Sequence, residues 1–238
     1  MRTLLKVVRR FILGVLVLLV VAGGVLVWRG HELYRSALAH ESIEEAADRL
    51  RAQPGYTSAD ALPRVYLDAV VAIEDHRFYE HPGIDIIAIC RAAWNDLRTL
   101  SFAQGGSTIT QQVAKNLFFT QEKRLDRKVA EVFMAFDLER SYTKREILEL
   151  YVNSSYFGDG YTGIGQAAPG YLGKTAGEMT DYESTLMAGI PNAPSMLSAA
   201  PDAAAARQRL VVRQMLKYGF DPGTATPAAS SVLIEEGA

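Results

Sequence analysis

The run Phe11–Trp28 constrains this chain more than any other feature: eighteen consecutive residues without a charge, most of them Val or Leu. A helix crossing the hydrocarbon core needs about 17–25 such residues, because its backbone polar groups must all be satisfied within the segment. Arg2, Lys6, Arg9 and Arg10 crowd the residues before it, and only Arg29 follows closely. That bias puts residues 1–10 in the cytoplasm and residues 30–238 beyond the membrane. Ala22-Gly23-Gly24 would suit cleavage of a signal peptide. However, Val25–Trp28 carry the apolar run past that point, and Trp28-Arg29 has the character of an interface anchor. The expectation is one uncleaved span over 11–28.

The 238 residues are enough for one substantial core after that span. A net charge of −2 gives no basic field of the kind that binds nucleic acid, so that class of partner is excluded. The single cysteine, Cys90, rules out an internal disulfide and a cysteine-based metal cluster, and its apolar neighbours predict a buried thiol. Residues 29–60 are charged and Ala-rich, broken by Pro54-Gly55, and read as a helical or loosely ordered stalk. Residues 61–220 hold the folded domain, and 221–238, without a basic residue, read as a flexible tail.

The domain reads as mainly helical. Pro63 opens a buried helix running to about Asp75, and Pro82-Gly83 makes a turn. Ile84–Leu97 is apolar for a surface helix; its shortage of Lys and Arg favours core over a lipid-surface role with Trp94 as anchor. Ser107 or Thr108 caps a helix on which Thr108, Gln111 and Lys115 share one stripe. In the helix Arg124–Arg140 the expected buried face is Leu125, Val129, Val132, Phe133 and Phe136. Thr143–Glu146 and Thr180–Glu183 are capping boxes opening further helices, and Asp202–Tyr218 is the last.

Three features carry chemistry. Glu74, Asp75, Glu80 and His81 emerge from a buried helix into a turn, where partial desolvation raises a carboxylate toward general-base duty. A glycine-led helix start with Lys115 two turns on can cradle a phosphate. Arg127, Lys128 and Glu131 lie together on one side of their helix. Two chance patterns fail: Ser141-Tyr-Thr-Lys144 lacks a Lys-Thr-Gly partner, and Gly158–Gly163 follows a helix rather than a strand.

Together these stretches resemble the peptidoglycan glycosyltransferases, glycosyltransferase family 51, from about Ala61 to Gly219. The resemblance rests on Glu74-Asp-His-Arg-Phe-Tyr-Glu-His-Pro-Gly83, Gly105-Gly-Ser-Thr-Ile-Thr-Gln-Gln-Val-Ala-Lys-Asn116, Arg127-Lys-Val-Ala-Glu131, Ile147-Leu-Glu-Leu-Tyr-Val-Asn153 and Ala188-Gly-Ile-Pro-Asn-Ala-Pro-Ser195. It implies a lysozyme-like helical lobe and a small membrane-leaning lobe, for which 84–103 is the candidate, preceded by the transmembrane helix. It implies polymerisation of lipid II into glycan at the outer face of the cytoplasmic (inner) membrane. Glu74 would be the base and Glu131 the second catalytic carboxylate. Ser107, Thr108, Gln111, Gln112, Lys115, Lys123, Arg124, Arg127 and Lys128 would bind substrate, with the register at Lys123-Arg124 open. Asp75, Phe78, His81, Gly83 and Asn153 would shape the motifs. No cofactor is required, though a divalent cation (Mg or Mn) could bridge the pyrophosphate. Partners would be lipid II, the growing glycan, membrane lipid and other cell-wall synthesis or division proteins. The chain ends where a bifunctional relative would continue, which implies a monofunctional enzyme. A lytic, lysozyme-like enzyme would also use a catalytic Glu but needs no phosphate cradle. An inactive membrane scaffold would need neither carboxylate.

Overall fold

A computed structural model describes residues 2–99, 106–120, 122, 124–191 and 201–225. The described chain is mainly helical, with one short hairpin. The first helix, α1 (Arg2–His40), contains the apolar run and continues well past it. It is long and apolar enough to cross a membrane, and none of its most apolar window is buried. Beyond Arg29 the helix is packed rather than free. Gly30 is buried, and α1 there lies along α6 (Leu125–Ser141).

The stretch 41–62 is also packed. Ser42 and Glu45 form a reciprocal capping box that starts α2 (Ile43–Arg51), satisfying two of the orphan amides at its N-terminus. Ile43, Ala46, Ala47 and Leu50, at helical spacing, are its buried stripe. The next helix, α3 (Arg64–Glu74), begins just after Pro63 and has Tyr66, Leu67, Ala69, Val70, Val71 and Ala72 all buried. It is apolar on nearly every side because α9 (Asp181–Gly189) and α10 (Pro201–Lys217) both pack on it. Its last residue is Glu74. A continuous core then runs through α5 (Ile109–Phe118), α6 and α7 (Lys144–Ser154) to α8 (Ile164–Leu172). Between α7 and α8, β1 (Tyr156–Gly158) and β2 (Tyr161–Thr162) make the antiparallel hairpin.

Two expectations are corrected. On α6 the buried row is Ala130, Met134 and Leu138, with Glu131 and Ala135 beside it, while Leu125 is 74 % exposed and Val129, Val132, Phe133 and Phe136 are only partly covered. The helix lies between two neighbours. The core takes one side, and α1 takes Val129 and Phe133 on another, so a single apolar face does not describe it. The second correction is α4 (Ile86–Thr99), which is not core: Ile86, Ile87, Ile89 and Trp94 are exposed, and so is Cys90. Its small and polar face, Ala88, Arg91, Ala92 and Asn95, lines a cleft, and no described element covers the opposite side. A contiguous apolar surface of this kind is unfavourable in water by about 25 cal/mol per Å² and suits a lipid surface.

Asn153 shows how a loop is locked to the core. Its side-chain oxygen accepts from the Thr57 amide at 2.8 Å, and its amide donates to the carbonyls of Thr57 at 2.9 Å and Glu149 at 2.8 Å. Asn153→Ala leaves these backbone groups without partners. It is expected to cost about 2–3 kcal/mol of stability, read as a lowered thermal unfolding midpoint.

Candidate active site

The C-terminal end of α3, the N-terminal half of α5 and the first two turns of α6 converge on one cleft of about 1040 Å³. Asp75 builds the convergence. Its carboxylate faces Nε2 of His81 at 3.0 Å and accepts the Ile109 amide at 3.1 Å, so one side chain ties the end of α3 to the start of α5. Thr108 adds a second tie, donating to the Gly83 carbonyl at 2.6 Å. Gly83 is at φ +99°, and a Cβ there would lie 3.1 Å from the Ala135 carbonyl, so the turn needs glycine for both conformation and space. Phe78 is fully buried beneath, with Lys144 Nζ 4.4 Å above its ring.

Thr108 is also the N-cap of α5, in a capping box with Gln111. Both side chains are buried and engaged there, although both border the cleft. The next residue is Gln112, whose amide donates to Glu74 Oε2 at 2.8 Å. Burial raises the Glu74 pKa above the ordinary carboxylate value; Gln112, Arg207 and Lys115 act against that rise without cancelling it. The carboxylate is thus a stronger base than an exposed glutamate.

The other wall is cationic. Glu131, 1 % exposed, faces Arg127 Nε at 2.9 Å and Lys128 Nζ at 2.9 Å, one on each oxygen. Lys128 also donates to Ser107 Oγ at 2.5 Å, and Arg127 to the Thr120 carbonyl at 2.8 Å. A buried carboxylate is tolerable only when paired in this way, and here the pairing fixes the direction of both cations. Lys115 lines the cleft between the two carboxylates' helices; burial lowers its pKa from the ordinary amine value.

Of the substrate-binding residues expected from the sequence, Ser107, Thr108, Gln111, Gln112, Lys115, Arg127 and Lys128 border this cleft together with Glu74 and Glu131. Arg124 is not among its lining residues and pairs with Asp126 at 2.7 Å. Lys123 lies outside the described residues, as do 192–200, which include part of the last motif, and 226–238. The sequence reading missed Arg91 on α4 and Arg207, Gln214 and Lys217 on α10. Arg207, Gln214 and Lys217 are spaced i, i+7 and i+10, a polar stripe that helical periodicity could have revealed. His76 and Tyr218, which line the cleft, stack with ring centroids 3.7 Å apart.

Six Lys or Arg residues line the cleft against four Asp or Glu, an excess that favours an anion. Among the described residues no group of three or more His, Cys, Asp or Glu could hold a metal ion. Asp75 and Glu131 are engaged by His81, the Ile109 amide, Arg127 and Lys128, so a protein-held divalent cation does not fit them.

A mainly helical chain with a membrane-length helix, whose cleft holds a desolvated carboxylate and a cation cluster, has the features of a protein that receives an anionic ligand. The comparisons are specific. The sequence model of the transglycosylase family matches residues 41–216, and the chain belongs to that family. It is 44 % identical over 167 residues to penicillin-binding protein 1A of Aquifex aeolicus, covering 69 % of this chain and 23 % of that protein. It is 45 % identical over 163 residues to penicillin-binding protein 1A of Escherichia coli, covering 68 % and 19 %. A putative transglycosylase of Cupriavidus necator is 42 % identical over 177 residues, covering 74 % of this chain and 76 % of that one. The chain therefore spans about a fifth of the penicillin-binding proteins it matches.

Asp75→Ala strands buried His81 and the Ile109 amide. The expected cost is about 2–3 kcal/mol of stability. The conservative Asp75→Asn keeps an acceptor for the amide and is expected to lose less, as measured by thermal unfolding of both variants.

Proposed function

We propose that this domain polymerises lipid II into glycan strands at the outer face of the cytoplasmic membrane, with α1 as a single anchor whose N-terminus lies inside. The 4-hydroxyl of the acceptor N-acetylglucosamine attacks C1 of the donor N-acetylmuramic acid. Undecaprenyl pyrophosphate leaves, and the linkage inverts from α to β. The supporting observation is one cleft, in a transglycosylase-family chain, that holds the desolvated Glu74 on Gln112 and a separate cation cluster on Glu131.

A sugar hydroxyl is a weak nucleophile, so a base must take its proton as it attacks; Glu74 is that base. Pyrophosphate leaves readily once its charge is met, and a low-dielectric cleft strengthens each cation that meets it. Lys115, Arg127 and Lys128 supply that charge, with the Ser107 hydroxyl as a further hydrogen-bonding group. Glu131 holds Arg127 and Lys128 in direction and acts on the substrate through them. Lipid II, the growing glycan and membrane lipid are the direct partners. Other cell-wall synthesis or division proteins are candidates for a complex around it.

Glu74 must be ionised to accept a proton, so activity falls as pH drops through its raised pKa. That acid limb is expected above the position set by an ordinary glutamate near pH 4.3. Gln112→Ala removes a hydrogen bond that favours the ionised form, so the limb moves to still higher pH. On the alkaline side activity falls as Lys115, with its lowered pKa, loses charge.

The direct test is detergent-solubilised protein with labelled lipid II, beside Glu74→Gln. Polymer from the wild type, reduced about 10²–10⁴-fold in the variant, is the expected result. Full polymerisation by the variant overturns the role of Glu74. Cleavage of preformed glycan with no polymer overturns the transferase reading.

A further inference from the structure

The apolar run of α1 ends at Trp28, and the next residue, Arg29, faces Asp126 on α6 at 3.5 Å. At Gly30 the two helices approach so closely that a side chain has no room. A Cβ there would lie 2.5 Å from Val129 Cβ and 2.9 Å from the carbonyl oxygen of Asp126. Contacts then climb both helices together: His31 and Tyr34 on the Phe133 ring, then the Tyr34 hydroxyl on Asp137. The helices therefore run side by side in the same direction. The first turn of α6 sits at the level where α1 leaves its apolar stretch, and Leu125, which opens that turn, is 74 % exposed.

That same turn carries the cation cluster. Asp126 Oδ1 accepts the Arg127 amide at 2.9 Å and the Arg124 Nε at 3.1 Å, so the residue that meets α1 is bonded to the backbone of the residue that enters the cleft. Lys128 follows, on Glu131 and Ser107.

We propose that Gly30 is a positioning residue: by letting α1 lie directly on the first turn of α6, it holds Arg127 and Lys128 at the height of the lipid headgroups. The inference rests on the lipid-linked substrate of the proposed function. The pyrophosphate of such a donor is held at the bilayer surface by its own hydrocarbon chain and cannot rise to meet displaced cations. Close helix approach of this kind needs a residue without a side chain, as in membrane helix pairs. Any side chain at position 30 separates α1 from α6 and changes the height of the clamp.

The test uses the full chain in phosphatidylglycerol vesicles. A nitroxide on Leu125→Cys, in a Cys90→Ser background, reports the depth of α6 by its accessibility to lipid-soluble and water-soluble relaxants. Turnover is measured with vesicle-embedded lipid II and with a short-chain, water-soluble analogue. Gly30→Leu is expected to shift the label along the bilayer normal. It should also raise KM for embedded lipid II about tenfold, since misplacement by roughly 1 Å is enough for such losses, while the soluble analogue is little affected. Gly30→Ala shifts both in the same direction by less, and carries the test if the leucine variant fails to fold. An unmoved label in folded variants overturns the proposal, as does an equal loss on both substrates. If the wild type turns over neither substrate, the proposed function fails and label depth alone decides the positioning role.

Discussion

The site hangs on the contacts of one buried carboxylate. Asp75 is 7 % exposed and meets an imidazole on one side and the first amide of α5 on the other. Thr108 on the Gly83 carbonyl and Gln112 on Glu74 are further ties between this region and the start of α5. Asp75 fastens to Ile109, and one turn further along α5 Gln112 donates to Glu74, the residue before Asp75. The base of the proposed reaction is thus placed by a neighbour that does no chemistry itself. Its basicity comes from the same packing, because the helix that ends at Glu74 is apolar on nearly every side.

Charge in the cleft is arranged in two unlike ways. Glu131 is held between a guanidinium and an ammonium, so in the proposed reaction it directs cations rather than moving a proton. Glu74 is desolvated, which favours proton uptake, and the Gln112 amide opposes that rise without cancelling it. Two carboxylates held by such unlike partners in one cleft suit divided labour. Lys115 sits under the influence of both, and Arg207 adds charge on the Glu74 side from α10.

Much of this was legible from residues alone. The apolar run, the capping boxes at Thr143 and Thr180, and the helix start at Thr108 are local signals, and each appears where its chemistry predicts. The motif residues that meet in the cleft were legible through the family resemblance. What failed depended on neighbours distant in sequence. The double-sided burial of α6 could not be read without knowing that α1 lies along it. The exposed isoleucines of α4 look like core until it is known that nothing among the described residues covers them. α8 went unread because Gly165, Pro169 and Gly170 argue against a helix locally, and its packing against the 54–57 turn overrides them.

The parallel pairing of α1 with α6 has a consequence for how the protein is made. Tyr34 and Asp137 touch across 103 positions of sequence. At a synthesis rate of about 5–20 residues per second, α1 enters the bilayer roughly 5–20 s before its partner has emerged. During that interval the face around Gly30 has no helix to close on, and the anchor is a solitary span with a bare flank. In the proposed membrane arrangement α6 therefore docks onto a segment already held in the bilayer, so the anchor sets the place of the helix that carries Arg127 and Lys128.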